Sequence, residues 1–178
     1  MLYDIYILFV FYLFINLIFL FMKPGTFTQM YVQLVFAVRN RDVVLTKEIR
    51  SRVFEYMSGI MTSLKHKSII VNGTSNHVHI LFGLYPSISV SDTVHDLKRS
   101  SSLFINKEKL CPGLFSWQDG YGGFSYGHSQ INDIYNYIAN QESHHKKKTF
   151  QQEYIDYLNE NEMVFDQQFL FDFLDDSH

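Results

Sequence analysis

"NHVHILF" occupies residues 76–82, and its reading decides the fold. Successive side chains of a strand point to opposite faces, so His77 and His79 share one face while Val78 and Ile80 share the other. Two imidazoles therefore project side by side. Taken alone, the pair is compatible with core or surface histidines and with half of a metal site.

Outward from that strand, "SIIVNG" (residues 68–73) supplies a second one ending at Asn72-Gly73, and a short turn pairs the two as a hairpin. Upstream, "MYVQLVFAV" (residues 30–38) is a strand rich in Val, Phe and Tyr. After a polar turn at residues 40–43, Thr46 is placed to cap a helix over residues 47–66, with Ile49, Val53, Tyr56, Ile60 and Leu64 recurring every three or four positions. Downstream come a helix starting near Ser89 or Ser91, and a Gly-rich aromatic stretch (residues 113–130) with one or two short strands. A helix over residues 129–147 follows, and then a last helix for which Thr149 and Gln152 are spaced as a capping box. Strand, helix, strand, strand, helix, strand is the order of a split βαβ unit. The sequence thus predicts an α+β fold, a ferredoxin-like (RRM-like) antiparallel sheet with helices on one face, plus C-terminal helices.

The chain has 178 residues, 47% of them hydrophobic, which suits one domain. Its single cysteine, Cys111, excludes a disulfide framework and a four-thiolate zinc site. The net charge is -3, unevenly spread: residues 160–178 carry six acids and no Lys or Arg, whereas residues 25–159 hold 14 basic against 11 acidic side chains. A mildly basic body is compatible with a phosphate ligand. Residues 1–24 open on an apolar run in which, from Ile5 to Met22, only Asn16 is strongly polar. The run is at the lower limit for crossing a bilayer of roughly 30 Å. It is either a membrane helix or an over-extended start preceding translation at Met22. The expected organisation is the apolar segment 1–24, a folded domain 25–159 and an acidic tail 160–178.

A histidine-triad hydrolase would need a third His where Leu81 stands, and a two-histidine phosphoesterase would need two H-x-[ST] elements where only His66-Lys67-Ser68 has that form. The helix over residues 129–147 offers a partner for the pair. Ile131, Ile134, Tyr135 and Ile138 form the stripe expected to face the core, while Tyr137, Gln141, His144 and Lys148 form a second stripe on another face. Two neutral imidazoles and an amide oxygen make a three-ligand site for Mg²⁺ or Mn²⁺, which can polarise a phosphodiester. Tyr137, one turn before Gln141, would sit beside such an ion as a nucleophile.

"NHVHILFGL", "SWQDGYGGFSYGHSQI" and "YIANQESHHKKKTFQQEY" together resemble the single-tyrosine HUH transposases of small insertion sequences that move as single-stranded DNA, and their REP-associated relatives. The resemblance runs from about Gly25 to Tyr157. It implies the HUH endonuclease fold, with His77 and His79 as metal ligands, Gln141 completing the site and Tyr137 as the nucleophile. It implies cleavage and rejoining of hairpin-bearing single-stranded DNA through a 5′-phosphotyrosine, in a cytoplasmic homodimer that shares active sites between subunits; such an enzyme has little use for a membrane anchor, so residues 1–21 are expected to be an over-extended start. A hairpin-binding relative that no longer cuts is the alternative. No G-x-x-x-x-G-K-[ST] loop is present, in keeping with a reaction that needs no ATP. Lys98, Arg99, His144, His145, Lys146, Lys147 and Lys148 are candidate DNA contacts, and Trp117, Tyr121 and Phe124 candidate platforms for unpaired bases. Gly120, Gly122, Gly123 and Gly127 could form a hinge before the tyrosine helix or simply tight turns. An Asp commonly precedes the first histidine in the family, and Asn76 stands there instead, a weaker hydrogen-bond acceptor.

Overall fold

The computed structural model describes residue 25, residues 27–39 and residues 45–173. The apolar segment and the turn at residues 40–43 lie outside them. Among the described residues no helix is long and apolar enough to cross a membrane.

Four strands, β1 (Tyr31–Ala37), β2 (Lys67–Gly73), β3 (His77–Gly83) and β4 (Gly122–Tyr126), form one antiparallel sheet in the order β2-β3-β1-β4. Helices α1 (Lys47–Ser63) and α2 (Val90–Lys107) connect them in the expected order. The alternation anticipated for β3 holds. Val78, Ile80 and Phe82, with Leu34 and Phe36 of β1, join Val53, Met57, Met61, Val94, Leu97 and Ile105 of the two helices in the buried core. The other sheet face is covered by α3 (Ile131–Ala139), α4 (Gln141–His144) and α5 (Phe150–Glu160). Phe124 of β4 stacks on Tyr157 of α5 at 5.1 Å, and His77 of β3 lies parallel to Phe150 at 4.0 Å. Gly122 allows this approach, since a Cβ there would stand 2.9 Å from the Tyr154 ring.

Five expectations need correction. Helix α1 stops at Ser63, three residues early, because Lys65 turns left-handed (φ 63) and His66 N–H donates to Met61 O, closing the helix as a Schellman motif does. Its buried stripe is Val53, Phe54, Met57 and Met61, which leaves Tyr56 partly exposed and stacked on Phe104 of α2. The helix over residues 129–147 is a 3-10 turn at His128–Gln130 followed by α3 and α4, broken at Asn140, whose side chain donates to Asn136 O. Of the stripe expected to face the core, Ile138 is buried and Ile131 and Ile134 are half-buried but Tyr135 is exposed, whereas Gln141 from the polar stripe is buried. The Thr149 cap forms as half a box. Its hydroxyl accepts from Gln152 N–H, but the Gln152 side chain reaches forward to Asp156.

Residues counted with the acidic tail dock on the domain. Phe171 packs against Phe150 and Tyr154, and the Gln118 amide bonds both Asp172 N–H and Asp172 O.

Candidate active site

The strand alternation sends His77 and His79 into the layer under α3–α5, where both are fully buried. Asn76 Oδ1 lies 2.7 Å from His77 Nδ1, and the Thr74 hydroxyl donates to the same oxygen. An amide oxygen only accepts, so His77 carries its proton on Nδ1 and turns the Nε2 lone pair into the site. Burial, reinforced by His79, lowers the His77 pKa well below its usual value and keeps the ring neutral. Asn76 thus places an acceptor oxygen at His77 Nδ1, where an Asp would place one.

Around His77 Nε2 stand Gln141 Oε1 at 3.4 Å and Glu153 Oε2 at 3.6 Å. His79 Nε2 is buried without a hydrogen-bond partner among the described residues, 3.4 Å from Glu153 Oε1. Ligand atoms of His77, His79 and Glu153 all lie within 4.8 Å of one another. Lone pairs converging with no hydrogen between His77 and its oxygen neighbours are what a cation satisfies. Two imidazoles, a carboxylate and an amide oxygen suit a divalent ion with positions left for substrate.

Glu153 was missed in the sequence reading. It is the one acid on the buried face of α5, in register with Phe150, Tyr154, Tyr157 and Leu158 at helical spacing, and an acid on an apolar stripe was the available signal. Its carboxylate accepts from the Tyr137 hydroxyl and, at 3.0 Å, from Gln141 Nε2, and lies 2.9 Å from His145 Nε2. Burial alone would raise its pKa. His79 first, then the hydrogen bond from His145, outweigh that and hold the carboxyl well below the usual range.

Tyr137, on the last turns of α3, completes the cluster within the same chain. Its ring meets the edges of His79 at 6.2 Å and His144 at 4.8 Å. Burial first, then Tyr157 and Glu153, push its phenol far above the ordinary value, so it holds its proton against the Glu153 carboxylate. The helix is fixed by Asn72 of β2, which donates to Ile138 O at 2.7 Å and Ala139 O at 3.2 Å.

Two clefts of opposite charge flank this cluster. One, of about 560 Å³, runs past Tyr137 and is lined by Asp133, Asp156 and Glu160 with His144 and Lys148. The other, of about 510 Å³, is lined by Lys47, Arg50, Lys146 and His145 with the hydroxyls of Thr74 and Ser75. Glu142 ties Arg50 and Lys47 together across it.

The remaining candidates are scattered. Arg99, Lys146 and Lys147 are exposed. Lys148 pairs with Asp156. His144 lies against Tyr137, its buried Nε2 without a hydrogen-bond partner among the described residues, and His145 supports Glu153. Lys98 is turned inward: its ammonium donates to Gln118 O and Gly120 O over the Phe36 ring, and burial pulls its pKa down to about 8. Trp117 is buried edge-on between Phe36 and Phe115, with Nε1 donating to Ser101, so its ring serves the core and offers no face to a base. Phe124 is likewise buried under Tyr157, whereas Tyr121 is exposed.

Two solved structures are similar. A Deinococcus radiodurans R1 protein assigned as a transposase is 22% identical, covers 67% of this chain and 96% of its own, and has a TM-score of 0.52. A REP-associated tyrosine transposase bound to a REP hairpin is 11% identical, covers 70% of this chain and 74% of its own, and has a TM-score of 0.50. At these identities the likeness concerns the fold. No curated protein sequence matches the chain. Residues 26–141, which hold His77, His79, Tyr137 and Gln141 but not Glu153, match the family described as "Transposase IS200 like". The chain belongs to the IS200-like transposase family.

Proposed function

We propose that this transposase cuts and rejoins single-stranded DNA at hairpin-bearing ends by transesterification, with Tyr137 as nucleophile. The observation that carries the reading is one buried cradle in which the Tyr137 hydroxyl meets Glu153 and the facing nitrogens of His77 and His79. Tyr137 Oη attacks the phosphorus, forming one phosphoester bond to the 5′ phosphate and breaking the bond to the 3′ oxygen, which leaves as a hydroxyl. The phenol proton ends on the departing 3′ oxygen and makes it a hydroxyl, while Glu153, whose carboxyl stays ionised, orients the phenol O–H without keeping the proton. Bond energy is conserved in the phosphotyrosine, and a free 3′ hydroxyl can later reverse the step on another strand. His77 and His79, with Gln141 and Glu153, would hold a Mg²⁺ or Mn²⁺ ion, which supplies Lewis-acid polarisation of the phosphodiester.

The strand's phosphates run along the basic cleft of Lys47, Arg50 and Lys146, because the acidic one repels a polyanion. Hairpin recognition is suggested by the REP-bound relative. Subunit pairing belongs to the same reading, with Tyr135 and its neighbours on the outer face of α3 as the surface a second copy would cover. The test is nicking of a stem-loop oligonucleotide. Mg²⁺- or Mn²⁺-dependent cleavage is expected, abolished when His77 and His79 are both replaced by Ala; binding without strand breakage would instead identify a hairpin-binding relative.

A further inference from the structure

The two histidines are not held alike. At His77 the neighbouring amide, Asn76, presents its oxygen to Nδ1, whereas at His79 the neighbouring amide presents its N–H. That side chain is Gln33 of β1, fully buried. Its Nε2 donates to His79 Nδ1 at 2.9 Å and to the Tyr157 hydroxyl at 3.0 Å, while its Oε1 accepts from the Tyr126 hydroxyl at 2.9 Å. With Nε2 donating, a neutral His79 must carry its proton on Nε2, the atom that faces Glu153 Oε1 at 3.4 Å. An imidazole that ligates a metal through Nε2 needs the opposite arrangement, with Nδ1–H donating to an acceptor.

We propose that Gln33 is a positioning residue that sets the tautomer of His79, and that a half-turn of its amide converts His79 into a metal ligand. The half-turn brings Oε1 to His79 Nδ1–H and to the Tyr157 O–H, and Nε2 to the Tyr126 oxygen. Each of the three partners keeps a hydrogen bond, because a phenol both donates and accepts. Tyr126 and Tyr157 are thus more than packing: as reversible partners they let the amide turn inside a closed layer. An amide is suited to this, since a carboxylate could only accept and an aliphatic side chain could do neither.

The proposal rests on the metal site of the proposed function, and the two fail separately in one titration. Mn²⁺ affinity is measured calorimetrically for the wild type, Gln33→Met and Gln33→Glu, with folding checked by thermal melting. Loss of an outer partner of a ligating histidine weakens metal binding by roughly 10- to 100-fold. That loss is expected for Gln33→Met, whereas Gln33→Glu, a permanent acceptor for His79, Tyr126 and Tyr157, should bind at least as tightly as the wild type. Wild-type affinity in a folded Gln33→Met, or equal weakening in both variants, overturns the assignment. Should Gln33→Met not fold, long-range ¹H–¹⁵N spectra of the Mg²⁺-loaded wild type decide: protonated Nδ1 on His79 is expected, and a bare Nδ1 refutes the proposal. A wild type that binds no Mn²⁺ removes the metal site itself and this inference with it. Metal binding without DNA cleavage removes only the transesterification.

Discussion

Glu153→Gln is a near-isosteric change that separates the carboxylate's charge from its shape. The amide oxygen can still accept from Tyr137 and Gln141, and the new N–H₂ replaces the oxygen beside His145, 2.9 Å away, and His77, 3.6 Å away. The fold should survive, at a cost of about 1.5–3 kcal/mol for hydrogen bonds that lose their ionic partner. The metal response should not. An ion that binds only the folded chain, at 100 times its dissociation constant, stabilises by ~2.7 kcal/mol, or roughly 5–11 °C in Tm for a chain of this size. If losing the carboxylate weakens the ion about 100-fold, the same concentration gives ~0.4 kcal/mol, roughly 1 °C. The assay is thermal melting in EDTA and in Mn²⁺ at that concentration. An undiminished Mn²⁺-induced rise in Glu153→Gln would refute the placement of Glu153 among the ligands.

The same pair of proteins in EDTA gives a pH signature. A carboxyl whose folded pKa is depressed contributes stability that is fully present above its unfolded value and is lost as pH falls below it. The wild type should therefore lose stability more steeply than Glu153→Gln as pH drops below about 4.5, the ordinary carboxyl value, because the carboxylate among His79, His145 and His77 resists protonation only in the folded chain. Parallel acid profiles would contradict the assigned environment.

Other predictions concern placement. Asn72→Ala removes both hydrogen bonds to the C-terminal carbonyls of α3; it should cost about 1 kcal/mol of stability and slow cleavage, with Mn²⁺ affinity unchanged in calorimetry. Reversing the charge of Lys47 and Lys146 together should weaken oligonucleotide binding and flatten its salt dependence by roughly one unit of slope per lost contact, while the Mn²⁺-induced Tm rise stays intact. Lys98→Met should lower Tm, because two loop carbonyls lose their donor, but leave DNA affinity at the wild-type level in the same binding assay.

How far the sequence was legible follows from the range of the forces involved. The β3 alternation and the Ser89 cap of α2, whose hydroxyl accepts from Asp92 N–H, are local and were readable. Tyr137 and Gln141 were placed together from their spacing of four residues and from the family resemblance, although the helix is broken at Asn140 between them. Which face of that stretch is buried was not readable, since it depends on α5 closing over the sheet, and the break at Asn140 carries neither Gly nor Pro. Charge alone proposed Lys98 for DNA, whereas the structure spends its ammonium on the loop beside it. Gln33 escaped notice because its partners His79 and Tyr157 lie 46 and 124 residues away, and Glu153 because the histidines it faces, His77 and His79, stand on a different element.

The central claim is that Tyr137 becomes joined to DNA. Incubating the protein with a stem-loop oligonucleotide of element-end sequence and Mn²⁺, then digesting and weighing the peptides by mass spectrometry, tests it directly. The account predicts a nucleotide-bearing peptide with the phosphate on Tyr137, absent from Tyr137→Phe. Cleavage and adduct formation that persist in Tyr137→Phe would contradict it.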